Sequence, residues 1–254
     1  MQAHGLIRGW WRRDDVRRVL RAHYGVTGPL ARFIVVGRSR GWLTVADRTV
    51  DEVLDRFPPL YLGFSVNAWE RPEEVLDAEP RQSVIEFDLD NFPEALQDYL
   101  TLRQWFTEHH LRHAVHFTGS KGLRLLAGST PESYKMVSHW VSILCTMEEV
   151  GSLDMFPYRM LEGWLQPAAT IHRKSGMPAF PFTDVPEHYQ EFFRRAAGML
   201  EGAAVPDLDV GTLDGEQVIA AIRAQFEALD PDEQQRVKRG AQILRRRAVS
   251  RYGA

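Results

Sequence analysis

Three short stretches of the chain gather residue types that bind charged oxygen. In Phe87-Asp88-Leu89-Asp90 two acids stand two residues apart. On an extended chain residues i and i+2 share a face, so a strand here sets both carboxylates side by side. Such a pair is costly unless a cation sits between its members, and Mg²⁺ or Mn²⁺ held by carboxylates plus substrate phosphates is the usual remedy. A strand end with two solvated acids is the plain alternative. In Thr118-Gly-Ser-Lys-Gly-Leu-Arg124 the glycines let backbone approach a ligand, and Ser120, Lys121 and Arg124 supply donors for anionic oxygens. Gly-Ser-Lys-Gly is equally a sound hairpin turn, and it is not a GxxxxGK[ST] loop opening a helix. In Thr170-Ile-His-Arg-Lys-Ser-Gly176, alternation puts Thr170, His172 and Lys174 on one face, a further phosphate-binding set or a polar strand running into a turn. Asp154, between the last two stretches, reads as a third acid or as a capping residue.

The elements that must carry these residues are legible from periodicity. Asp14-Asp15 opens a helix with Val16, Val19, Leu20 and Tyr24 at helical spacing, ending at Gly25. The apolar runs 31–36 and 42–45 flank the turn 37–41 and predict a hairpin. A short helix over 50–57 is closed by Pro58-Pro59, and 60–68 reads as one strand followed by a loop. Residues 83–90 alternate as a strand. Residues 93–110 form a helix with Leu96, Leu100, Leu102 and Phe106 as its stripe. Strands 113–117 and 123–126 flank the Gly-Ser-Lys-Gly turn, 131–150 is a long helix, 151–182 is irregular, and 186–202 and 214–251 are helical. This mixture without strict β-α alternation predicts an α/β (α+β) fold.

Composition narrows the class. The 254 residues, 44% hydrophobic and 26% charged, are ordinary for a globular chain and argue against disorder. Cys145 is the only cysteine, which excludes an internal disulfide and a thiolate-rich zinc site. No run of about 18 apolar residues exists and the N-terminal charges lead into no apolar core, so the expectation is a cytoplasmic protein with no membrane partner. The net charge of −3 hides two basic ends: residues 1–41 carry nine Arg against two Asp, and 236–254 carry six Arg and one Lys with no acid. That asymmetry suits a polyanionic partner, and solvated helix faces suit it as well. Trp10-Trp11 among arginines offers a stacking platform for single-stranded bases or core residues. His109, His110, His113 and His116 read as helix-end and strand residues rather than a metal cluster.

Taken in order, the motifs make a pattern. A strand-borne DxD, a Gly-Ser-Lys-Gly turn, an Asp and a [S/T]-φ-H-x-K-[S/T]-G stretch resemble the archaeo-eukaryotic primase superfamily. The resemblance is nearest to the catalytic small subunit of archaeal primases and to plasmid and viral primase-polymerases. The family's φφφDφD is here Ile85-Glu86-Phe87-Asp88-Leu89-Asp90. Its SGxxGxH is Thr118 to Arg124, and its PGSLHxKTG is Pro167-Ala-Ala-Thr-Ile-His-Arg-Lys-Ser-Gly176. Upstream, Pro58 to Pro72 is similar to the family's PxxxYYSxAxYxxP.

The resemblance implies an RRM-like catalytic sheet beside an N-terminal α/β unit, with a catalytic domain over 1–190 and a helical C-terminal extension over 191–254. It implies a template-directed nucleotidyltransferase, a DNA primase or primase-polymerase joining NTPs or dNTPs on single-stranded DNA. Asp88, Asp90 and Asp154 would be the catalytic acids holding two Mg²⁺ or Mn²⁺ ions, and Ser120, Lys121, Arg124, His172 and Lys174 would grip the triphosphate. A helicase or primase large subunit would be its protein partner. With Cys145 alone, no zinc is expected. Two positions depart from the pattern. Arg124 stands where the family has His, and can hold phosphate bidentately but cannot act as a neutral imidazole. The Arg expected shortly before Pro167 is absent, with Gly163 and Gln166 in that stretch and Arg159 the nearest substitute. A gap-filling repair polymerase of the same superfamily, and a non-catalytic primase-like subunit that binds nucleic acid, are the other readings.

Overall fold

The computed structural model describes residues 9–38, 41–56, 61–158 and 160–252. The hairpin-turn residues 39–40, the Pro58-Pro59 stop and Arg159 lie outside them. Helix α1 (Asp14–Tyr24) has acids in its first turn and Arg21 and His23 in its last, the arrangement that complements the helix dipole. Its Val16, Val19 and Leu20 are fully buried.

Strands β1 (Ile34–Arg38) and β2 (Gly41–Val45) form the expected hairpin, and α2 (Val50–Arg56) follows. β3 (Tyr61–Ser65) pairs antiparallel with β1 and with the two-residue β8 (Trp164–Leu165), giving a four-stranded sheet in the order β2-β1-β3-β8.

The expected single strand over 60–68 is in fact two. The chain leaves β3, turns at Val66, and continues as β4 (Asn67–Ala68) in a different sheet. Buried Arg32 explains the break. Its Nε and Nη2 both donate to the Ser65 carbonyl, the group that a continuing ladder would use, while the Ser65 hydroxyl accepts from Phe33 N–H and donates to the Asn67 carbonyl.

The second sheet runs β4-β5-β7-β6-β9, all antiparallel, with β5 (Gln82–Leu89), β6 (Ala114–Phe117), β7 (Leu123–Thr130) and β9 (Phe180–Pro181). β7 outruns the predicted 123–126 because it follows β5 to its far end, past a bulge between Ile85 and Glu86. Helix α3 (Glu94–Glu108) buries Ala95, Tyr99, Leu102, Trp105 and Phe106. Leu100, expected on that stripe, is exposed because the buried face steps through 95, 99, 102 and 106.

Helix α4 (Tyr134–Met147) is capped by the Ser133 side chain. Helices α5 (Tyr189–Leu200), α6 (Gly215–Glu227) and α7 (Pro231–Tyr252) complete the chain. Their apolar faces join the same core as the sheets: Phe192, Ile222, Val237 and Ala241 belong to one contiguous cluster with Phe87 and Leu125. On α7 Val237 and Ala241 are buried, whereas Ile243 is 53% exposed. Among the described residues no helix is long and apolar enough to cross a membrane.

Arg32 also donates to the carbonyls of His23 and Tyr24, so its removal strands two buried acceptors, the Ser65 and His23 carbonyls, and one half-buried, that of Tyr24. Arg32→Ala is expected to lower stability by on the order of 3 kcal/mol in urea denaturation. A loss below about 1 kcal/mol would contradict the role assigned to this side chain.

Candidate nucleotide-binding cleft

The register between β5 and β7 places Asp88 opposite Arg124, and β6 places His116 opposite Arg124 on the other side. Across from β5, the bridge between Leu89 and Leu153 brings in a further segment. Asp154 N–H donates to the Asp88 carbonyl at 2.7 Å and Asp90 N–H to the Ser152 carbonyl at 3.0 Å. Asp154, Asp88, Arg124 and His116 therefore form one cross-strand row, with Asp90 two residues beyond Asp88 at the strand end.

The 118–122 turn closes on itself through Thr118, whose N–H and hydroxyl both donate to the Gly122 carbonyl. Gly119 has φ +79°, and a Cβ there would collide with the Met177 carbonyl. Lys121 reaches back to Asn91 Oδ1 at 2.9 Å and lies 3.8 Å from Asp90. The stretch 170–176, expected to alternate as a strand, is a turn instead. Gly176 N–H donates to the His172 carbonyl and His172 N–H to the Met177 carbonyl. This removes Thr170 from the expected face: it is buried, donates to the Pro167 carbonyl and accepts from Gln166. The Ser175 hydroxyl donates to the Gly119 carbonyl, tying the two turns together.

One cleft of about 330 Å³ is lined by Asp88, Asp90, Asp154, Ser120, Lys121, Arg124, His172 and Lys174. These eight residues, seven from the three stretches and Asp154 from between the last two, thus share a single cavity. Residues that the spacing did not single out complete the lining, among them Tyr61, Trp164 and Gln166. Tyr61 and Trp164 meet edge to face with ring centroids 5.4 Å apart. Trp164 sits over Gly63, where any Cβ would strike the indole. Trp10 and Trp11, weighed as a base-stacking platform, are core residues, 3% and 1% exposed, and Trp10 donates to the Ala169 carbonyl.

The electrostatics of the cleft centre on Asp88. Both its oxygens accept from Arg124, from Nε and from Nη2 at 3.0 Å each, while Arg124 Nη1 donates to the Gln166 carbonyl. Burial pushes the Asp88 carboxyl up to about 6 against the pull of Arg124, with Asp90 and Asp154 adding to the rise. Behind this pair lies Glu86, wholly buried, with neither oxygen hydrogen-bonded and His23 Nε2 3.5 Å away. Burial works to raise Glu86, while the N–H of the His23 ring 3.5 Å away and the Arg124 guanidinium hold it below the ordinary carboxylate range. Ala168 N–H donates to His23 Nδ1, which leaves the ring proton on the nitrogen facing Glu86. Burial keeps His23 and His116 neutral, His116 down to about 3. Glu86 was open to detection, because it stands two residues before Asp88 on the same strand.

Among the described residues no three His, Cys, Asp or Glu side chains come together closely enough to hold a metal ion. Asp90 and Asp154 offer a pair of hard oxygen donors beside Ser120, Lys121, His172 and Lys174, a donor set that fits one divalent cation completed by other oxygens. Asp88 is already committed to a guanidinium.

No family model matches the sequence, and no curated protein matches it. Solved structures with a similar fold include the AEP domain of the cyanophage S-2L primase-polymerase, at 16% identity over 74% of this chain and 97% of that one, TM-score 0.43. The polymerase domain of Mycobacterium tuberculosis ligase D, solved in complex with DNA, shares 14% identity over 86% of this chain and 88% of its own, TM-score 0.45. Primase RepB′ shares 14% identity over 94% of this chain and 76% of its own, TM-score 0.46.

Histidines withdrawn from bulk water, His23 and His116 behind the cleft and the partly buried His113 elsewhere, bear on the acid stability of the fold. His116 is lowered to about 3 and His113 to about 4, both mainly by burial, and His23 is lowered too. The unfolded chain takes up protons at these rings below their ordinary value of about 6.5 while the folded chain does not, so stability falls as pH drops. Asp88, raised to about 6, acts in the opposite sense between that value and its unfolded one. With the lowered rings outnumbering this one raised acid, the urea midpoint is expected to fall between about pH 7 and about pH 4. A flat or rising midpoint would contradict the buried neutral histidines.

Proposed function

We propose that this chain is a template-directed nucleotidyltransferase of primase-polymerase type, joining NTPs or dNTPs on single-stranded DNA. The observation that carries the reading is the convergence on one cleft of acids and phosphate donors from three separate stretches and of Asp154 between the last two. Lys121 and Lys174, exposed enough to reorient, would grip the β- and γ-phosphates, with Ser120 and His172 donating to the remaining oxygens. Tyr61 and Trp164 give the cleft an aromatic wall suited to a base. Asp90 and Asp154 would hold a Mg²⁺ or Mn²⁺ ion, which when bound neutralises the triphosphate and favours attack at its α-phosphorus.

In the step itself a primer 3′-hydroxyl oxygen bonds to the α-phosphorus and the bond to the bridging oxygen breaks. The electron pair leaves with pyrophosphate, and the hydroxyl proton passes to water. The chain's part is positioning and charge neutralisation, which is most of what phosphoryl transfer requires. The template would be held by Arg236, Lys238, Arg239 and Arg246, exposed along α7, where the acids Asp232 and Glu233 are confined to the first turn. A helicase or primase large subunit remains the proposed protein partner, and the cytoplasm the proposed compartment. The bidentate Arg124–Asp88 pair favours one second reading, a non-catalytic subunit that binds nucleic acid.

The test is incorporation of labelled nucleotide on primed and unprimed single-stranded templates with Mg²⁺ or Mn²⁺. Asp90→Ala and Asp154→Ala are each expected to cut the rate by about a hundredfold or more, and chelation to abolish it. Lys174→Ala is expected to raise KM for the nucleotide about tenfold, the loss of one charge-assisted contact. A wild-type chain that binds single-stranded DNA yet incorporates nothing on either template would overturn the enzyme and support the second reading.

A further inference from the structure

This inference rests on the nucleotidyltransferase reading and concerns how many exchangeable cations the cleft takes. Asp88 is the central acid of the cross-strand row, and its carboxylate is closed by a fork of two parallel N–H···O bonds from Arg124. The two side chains are only 12% and 11% exposed. Arg124 is held at a third point by the Gln166 carbonyl, and the buried Glu86 carboxylate lies behind it. A guanidinium gripped this way differs from Lys121, which is 62% exposed and 3.8 Å from its acid. Releasing Arg124 would strand a buried carboxylate and a buried cation together, and a divalent ion seated on Asp88 would face the guanidinium as a like charge. Arginine stays charged under all working conditions, and it has five N–H groups, so some remain for oxygens in the cleft.

We infer that Asp88 is not a metal ligand, and that Arg124, fixed by Asp88 and the Gln166 carbonyl, is a built-in cation that replaces one of two divalent ions. Asp90 and Asp154 are then left to bind a single exchangeable ion. Arg124 serves as a permanent positive charge facing the substrate's phosphate oxygens, preorganised before substrate arrives. Asp88 is a positioning residue, and its work is to orient the guanidinium.

Mn²⁺ binding to the full chain, with no nucleotide or template present and the free ion read by electron paramagnetic resonance, tests this directly. One saturable ion per chain is expected. The charge-neutral double variant Asp88→Asn/Arg124→Gln is expected to keep Mn²⁺ affinity within about threefold, and Asp90→Asn or Asp154→Asn to weaken it about tenfold or more. Two ions per chain, no saturable binding, or a tenfold loss in a folded double variant would overturn the inference. If that variant does not fold, the wild-type stoichiometry decides alone. Because the titration needs no turnover, a failed extension assay strikes the nucleotidyltransferase reading while the ion count judges this one.

Discussion

A guanidinium out of water must be met by oxygen on every side, and two of them, Arg32 and Arg124, sit in the seam between the sheets. Arg32 is satisfied by carbonyls and has Glu86 as a nearby acid; Arg124 is satisfied by Asp88 and the Gln166 carbonyl, with Glu86 behind it. Much of the local architecture follows from these needs. Arg32 ends β3, Arg124 fixes the cleft floor, and the histidines around Glu86 are kept neutral so that the buried charges balance. The cleft is thus the open edge of a charge network whose remainder is inaccessible to solvent.

What the sequence revealed, and what it hid, divides along local and non-local lines. Asp88, Asp90, Ser120, Lys121, Arg124, Asp154, His172 and Lys174 were each recognisable from residue type and short spacing, and their chain order carried the family resemblance that implied a shared site. Helices α1 and α3 followed from 3.6-residue periodicity, although Leu100 shows that a leucine near the stripe need not lie on it. The partner of Arg124 was hidden, because phosphate and Asp88 are equally good bidentate acceptors and only the β5–β7 register decides between them. Thr170 was misplaced because alternation was assumed where the chain turns. Trp10 and Trp11, read beside arginines, proved to be core residues, and the Trp10 indole N–H is bonded to the Ala169 carbonyl, a contact over more than a hundred residues.

The departure from the primase pattern at Arg124 has a structural counterpart. An imidazole at that position could not close both oxygens of Asp88 and reach the Gln166 carbonyl as well. The surroundings match the guanidinium: Glu86 supplies extra negative potential, and His116, opposite Arg124 on β6, is buried and neutral and so adds no competing charge. Arg124 is therefore part of a local set of residues rather than an isolated replacement.

The corner at Val66 has a further consequence. Tyr61, Trp164 and Leu165 stand on the four-stranded sheet, while Asp88 and Arg124 stand on the five-stranded one, so the cleft's walls belong to different sheets. The first of the chain's passages between those sheets takes a single residue, Val66, pinned by Arg32 and Ser65. Two walls hinged at so short a joint share a nearly fixed gauge. The aperture is therefore inherited from a buried corner, and substitutions there, remote from any ligand, would retune which molecules fit by size.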